Sequence, residues 1–148
     1  MTHRLHNRLP AWHRLTIYAL TVLLVLSGLA WLAVAYLLAP PGEPTPAPHA
    51  LSGPLLAVHG IVAYLAVFAY ALVGHVHVRA GWRVPVLRPV AFWMLASIAA
   101  LALTGLGLYY AGERQFPYFR WTHVAAGALL PLLLYLHIKR GRREARRS

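Results

Sequence analysis

Apolar residues fill four long stretches of the chain, and charged residues fall only between them. No charged side chain occurs between Arg14 and Glu43, between Glu43 and Arg79, between Arg88 and Glu113, or between Arg120 and Lys139. A helix needs roughly 20 apolar residues to cross a hydrocarbon core about 30 Å thick. Each window holds such a run: Leu15 to Ala39, Leu55 to Val78, Val90 to Ala111 and Trp121 to Ile138. The pattern predicts an all-α fold, an integral membrane four-helix bundle of up-down-up-down connectivity forming one transmembrane domain. Its helices are expected over about 11–39, 53–79, 89–111 and 120–139, with a basic tail over 139–148.

The residues between the windows agree with this division. Pro40 to Pro48 contains five prolines and one glycine, which predicts an extended connector with polyproline character. Pro85 and Pro89 stop and restart helices between the second and third windows. The loop Gly112 to Phe119 is short and makes the third and fourth helices antiparallel neighbours. A basic start, an apolar run and the small triplet Ala33, Val34, Ala35 resemble a secretory signal with its cleavage site. That run, at about 18 residues, exceeds the usual 7 to 15, so an uncleaved first helix is expected. No internal repeat is strong enough to carry an argument.

Composition sharpens the class. Of 148 residues 59% are apolar and 11% charged, against about 25% charged in soluble domains, which excludes an ordinary cytosolic enzyme. The net charge of +11 would suit nucleic acid or an anionic surface, and the placement of the cations decides between them. Of 14 Lys and Arg residues, 12 lie before the first helix, between the second and third, or after the fourth, leaving only Arg114 and Arg120 on the other side. The positive-inside rule then places both termini in the cytoplasm, with lipid and not nucleic acid as the surrounding partner. Trp12, Tyr36, Trp82, Trp93, Tyr109, Tyr110, Tyr118 and Trp121 suit interfacial belts. The absence of cysteine removes disulfides, iron–sulfur clusters and covalent c-type haem together.

Nine histidines in so apolar a chain are the main chemical signal, since ionisable groups at membrane depth are functional candidates by default. His3 and His6 lie in the basic N-terminal segment and His49 in the loop after the first helix, where solvation explains them. His123 and His137 are 14 residues apart on one helix, so they point within about 40° of each other and lie about 21 Å apart along the axis. The stripe between them reads Gly127, Leu130, Leu134, and a flat macrocycle beside His123 could lie close to the backbone at Gly127. Depth supplies partners from other helices: His13 with His137 at the cytoplasmic side, His59 with His123 at the opposite side. His77, 18 residues after His59, lies about 6 Å too far along the axis to match His137 as well as His13 does, and His75 points elsewhere. One of these two replacing His13 is the alternative; otherwise, beside Arg79, they are expected to meet propionates, quinone or water. Zinc fits less well, because a closed site needs four ligands at one depth. Two ligands per centre suit haem, whose porphyrin supplies the other four.

The chain resembles the bacterial four-helix di-haem membrane cytochromes b, the group holding the cytochrome b subunits of formate dehydrogenase, nickel-iron hydrogenase and thiosulfate reductase. The resemblance rests on Trp12-His13-Arg14 opening a helix that continues to Leu26-Ser27-Gly28-Leu29, on Val58-His59-Gly60, and on Arg120-Trp121-Thr122-His123 followed by Leu136-His137. It implies two bis-histidine haem b groups in a multi-pass protein of the bacterial cytoplasmic (inner) membrane. It also implies a quinone near one haem and electron transfer between the quinone pool and a periplasmic oxidoreductase or c-type cytochrome. Arg14 at the cytoplasmic side and Arg120 at the other are candidates to neutralise propionates. A haem-free membrane anchor or assembly subunit is the alternative. A small ion or metal transporter ranks last, because no acidic residue lies at membrane depth.

Overall fold

The computed structural model describes residues 10–42, 49–144 and 146, apart from the side chains of residues 75, 76 and 80. His3, His6, Arg4 and Arg8, most of the proline-rich connector and the last two residues lie outside the described residues, as does the side chain of His75. The helices are α1 (Ala11–Leu37), α2 (Ser52–Gly81), α3 (Arg88–Tyr110) and α4 (Phe116–Glu144), with a 3₁₀ turn over Pro85–Leu87. Each contains a segment long and apolar enough to cross a membrane, and no strand occurs among the described residues. This is the class and helix number of a four-helix multi-pass membrane protein, as the hydropathy pattern predicts.

Local chemistry explains the boundaries. α1 stops at Leu37, two residues short of the expected end, because Pro40 biases Ala39 away from helical geometry. Gly42 then takes φ +87°, a left-handed conformation that glycine adopts without a Cβ clash. The start of α2 is capped by His49: its Nδ1 accepts the Leu51 N–H at 3.1 Å, and its carbonyl accepts that of Ser52 at 2.9 Å. His49 therefore has a structural task. Pro89 sits in the first turn of α3, where its missing N–H costs no helical bond. Between the second and third helices, Arg88 Nε donates to the Trp82 carbonyl at 2.8 Å and closes the loop.

α4 differs most from expectation. It begins four residues earlier, at Phe116, with Pro117 tolerated in its first turn, and it runs on to Glu144 instead of yielding to a tail at Lys139. Lysine and arginine are good helix formers, and cations in a last turn complement the helix dipole. The end of the apolar window marks where this helix leaves the lipid, not where it ends.

The chain divides into two compact units, residues 1–74 and 75–148, and α2 runs through the boundary. In the first unit Thr21 Oγ1 donates to the Ile17 carbonyl at 2.7 Å and accepts from Tyr70 Oη at 2.7 Å, while Ser27 meets His59, so α1 and α2 run antiparallel. In the second, Leu101 faces Gly127, Thr104 faces His123 and Gly107 faces Phe119, the descending register of an antiparallel pair. A Cβ at Gly107 would overlap the Phe119 ring, so this glycine sets how closely α3 and α4 approach.

Burial is inverted relative to a soluble protein. Thr21, Ser97 and Thr104 are among the most buried side chains, while Val22, Leu26, Leu29, Phe68, Leu103, Leu106 and Leu132 are exposed. In water each exposed leucine or phenylalanine would forgo about 1.5–3 kcal/mol of burial, so this surface is stable only against lipid. Hydroxyls turned inward satisfy their hydrogen bonds within the protein, as a solvent without donors or acceptors requires.

Candidate functional site

Two membrane-depth histidines are held in the same way, one in each unit. Ser27 Oγ donates to the Leu24 carbonyl at 3.1 Å and lies 2.9 Å from His59 Nδ1. A hydroxyl has one proton, and with that proton on Leu24 the serine oxygen can only accept from the imidazole. With the serine proton placed on Leu24, His59 is assigned the Nδ1–H tautomer and its ring lone pair lies on Nε2. In the second unit Thr104 Oγ1 donates to the Ala100 carbonyl at 2.6 Å and lies 2.9 Å from His123 Nδ1, and the same placement of the hydroxyl proton assigns the same tautomer. Hydroxyls bonding back to a carbonyl one turn earlier are ordinary in helices; here the leftover lone pair orients an imidazole on the neighbouring helix.

A glycine follows each hydroxyl, and at Gly28 the missing Cβ makes room for the ring, whereas the spacing at Gly105 is that of an ordinary contact. A Cβ at Gly28 would stand 3.3 Å from His59 Cε1, tighter than an ordinary contact, and one at Gly105 would stand 3.7 Å from His123 Cε1. Gly127, expected to cradle a macrocycle, instead faces Leu101, where a Cβ would make an ordinary 3.8 Å contact. Nothing in its surroundings requires glycine. A helical stripe shows which residues share a face but not what that face meets, and here it meets α3.

His137 lies two turns past Leu130 on α4, and its neighbour within the second unit is His77. The ring centroids are 5.9 Å apart and the planes 74° apart. Both line a small cavity of about 30 Å³ with Val78, Gly81, Leu87, Ala91, Met94 and Leu95. His137 Nδ1 is buried without a hydrogen-bond partner. The depth argument favoured His13 over His77 opposite His137, but it presumed parallel helices level at their other histidines; the ring separation does not depend on that presumption.

His13, in the first unit, stacks on Trp12 with centroids 3.6 Å apart, and its Nδ1 is likewise buried without a hydrogen-bond partner. Arg14 beside it is exposed. The Arg120 guanidinium lies 5.3 Å from the Trp121 ring centre and 5.9 Å from that of Phe116, which holds a positive charge one turn before His123. His13 and His59 belong to the first unit, His123 and His137 to the second.

Sequence reasoning missed Thr104 and Gly105 altogether and gave Ser27 and Gly28 no role. The signal was present: Leu26-Ser27-Gly28-Leu29 recurs as Leu103-Thr104-Gly105-Leu106. A second short match, His77-Val78-Arg79-Ala80-Gly81 with His137-Ile138-Lys139-Arg140-Gly141, closes the α2 and α4 segments.

The donor set fits a bis-histidine haem in three respects. The tautomers of His59 and His123 direct any ligation to Nε2, with Nδ1–H bonded to an oxygen as metal-bound imidazoles usually are. His137 presents a buried nitrogen with no bond made. The wall around His77 and His137 is otherwise apolar, as the edge of a macrocycle requires. Comparison of the chain with protein-family models, curated proteins and solved structures gives no match. The functional reading rests on the residues themselves.

Proposed function

We propose that the chain is a b-type di-haem electron-transfer subunit of the bacterial cytoplasmic membrane, passing electrons between the quinone pool and a periplasmic redox partner. The observation that carries this reading is the repeated clamp, in which a hydroxyl bonded back to its own helix lies 2.9 Å from Nδ1 of a histidine on the neighbouring helix. The clamp, a hydroxyl followed by a glycine on one helix with the hydroxyl at Nδ1 of a histidine on the next, occurs twice, and it supports the reading because metal-bound imidazoles usually have Nδ1 hydrogen-bonded to an oxygen.

Haem b bound at such sites supplies reversible one-electron transfer and four of the six iron ligands. The protein supplies the rest. His59 and His123, matched in depth by sequence spacing, serve the periplasmic side, and His137 serves the cytoplasmic side. Ser27 and Thr104 hold the rings and make the ligating nitrogens better donors. Arg120 keeps a cation near His123 for an acidic substituent. His75, His77 and Arg79 lie where the positive-inside rule puts the cytoplasmic rim, the side expected for quinone. Histidine at both axial positions would saturate the iron, so oxygen chemistry is not part of the function.

A reduced-minus-oxidised visible spectrum of the purified protein tests the reading. Two b-type components are expected, and His59→Ala and His123→Ala should each abolish the same one. A spectrum without a b-type band refutes the proposal and leaves the haem-free anchor.

A further inference from the structure

Resting on the di-haem reading, we propose that the cytoplasmic-side haem is held axially by His77 and His137, and that His13 is not its ligand. The geometry of the second unit carries this. With metal–imidazole bonds of about 2 Å and ring centres a little over 1 Å behind the nitrogens, two imidazoles on opposite sides of one metal have centres about 6 Å apart. The His77 and His137 centroids are 5.9 Å apart. An edge-to-face pair of rings has the same separation, so the distance permits the axial pair, and what favours it is that His137 Nδ1 is buried with no hydrogen bond made. The 74° between the planes is compatible with axial ligation, since each ring need only contain its own metal–nitrogen axis.

Three further observations agree. The walls around the two rings are otherwise apolar, contributed by Val78, Leu87, Ala91 and Leu95, as the edge of a porphyrin requires. Each histidine is followed two residues later by a cation, Arg79 and Lys139, and four residues later by a glycine. The cations suit propionates. The matching pentapeptides give the ends of α2 and α4 the same local chemistry, whereas His13 opens its helix and has no counterpart of this kind. His13 carries an unpartnered nitrogen too and is therefore the rival to be tested.

The experiment compares His77→Ala, His137→Ala and His13→Ala in the purified full chain by reduced-minus-oxidised spectra and potentiometric titration. His77→Ala and His137→Ala should each lose one and the same b-type component, while His13→Ala keeps both. Because an alanine variant can lose haem through misfolding, His77→Met provides a signature that folding damage does not. Methionine ligation raises the potential of a haem above that of bis-histidine ligation, so this variant should keep two components with one moved upward and a sulfur-to-iron charge-transfer band added. Loss of a component in His13→Ala with both retained in His77→Ala overturns the pair, as does His77→Met with unchanged potentials and no new band. A wild-type spectrum without b-type bands refutes the di-haem reading itself, an outcome distinct from two wild-type components that survive His77→Ala.

Discussion

Replacing Thr104 with valine removes one hydroxyl and almost nothing else. The threonine oxygen makes a bond within α3, 2.6 Å to the Ala100 carbonyl, and a bond between helices, 2.9 Å to His123 Nδ1. The Ala100 carbonyl remains within the helical ladder after the change, and valine preserves the shape. The loss therefore falls on the imidazole. An interhelical hydrogen bond in a membrane protein is worth about 0.6 kcal/mol on average and up to about 1.7. Thr104 is 7% exposed, so a Nδ1–H stripped of its acceptor has little access to an alternative, and the cost belongs at the upper end, about 1–2 kcal/mol.

The same bond acts on redox chemistry. An Nδ1–H donating to oxygen makes its ring a stronger electron donor and favours the more highly charged iron, so its removal raises the midpoint potential of the haem that His123 serves. If about 1 kcal/mol of bond strength distinguishes the two oxidation states, the one-electron potential rises by about 40 mV, at about 59 mV per factor of ten. Potentiometric titration of the purified Thr104→Val protein reads the shift directly, and Thr104→Ser, which restores the hydroxyl, should return it towards wild type. A downward shift, no shift, or an equal shift in Thr104→Ser would refute the tautomer assignment.

Two glycines on facing helices should behave oppositely. Gly107→Ala drives a methyl into the Phe119 ring and should cost about 1–3 kcal/mol in detergent thermal unfolding, partly recovered by Phe119→Leu; Gly127→Ala meets only an ordinary contact with Leu101 and should be neutral or slightly stabilising. A destabilising Gly127→Ala would restore the close-approach role that the stripe on α4 suggested. Topology is readable because the chain has no cysteine. A single Ser148→Cys should resist an impermeant thiol reagent in intact cells, and Gly112→Cys should react with it; the reverse pattern sinks the orientation.

Class and helix number were legible because the bilayer imposes a length that composition cannot disguise: an uncharged window either reaches about 20 residues or it does not. The end of α4 was illegible for the same reason. Charge marks the edge of lipid, and the helix passes Lys139 to Glu144 because its hydrogen bonding is indifferent to that edge. His59 and His123 could be picked out because no Asp, Glu, Lys or Arg shares their windows, which leaves histidine as the chemical signal there. Their hydroxyl partners could not. Serine and threonine in the middle of a membrane helix commonly bond back to their own carbonyls, as Thr16 does to Trp12 at 2.9 Å, and only the register between helices shows which one faces an imidazole.

The two kinds of histidine differ in what orients them. At His59 and His123 a hydrogen bond inside the protein settles the tautomer and the direction of the ring before any ligand arrives, and the same bond ties two helices together. A buried hydroxyl with its proton committed to a helix carbonyl is a good acceptor in lipid because no water competes for the imidazole proton. His137 has no such anchor at Nδ1, and packing against the wall around His77 is what positions it. A ring set by packing is free to turn until a ligand fixes it, whereas a ring set by a hydrogen bond resists turning by about the energy of that bond. On the proposed reading the His137 ring therefore depends more on its ligand for its final geometry, and the clamped rings of His59 and His123 depend less. That asymmetry follows from which rings Ser27 and Thr104 reach, not from the number of histidines at either end.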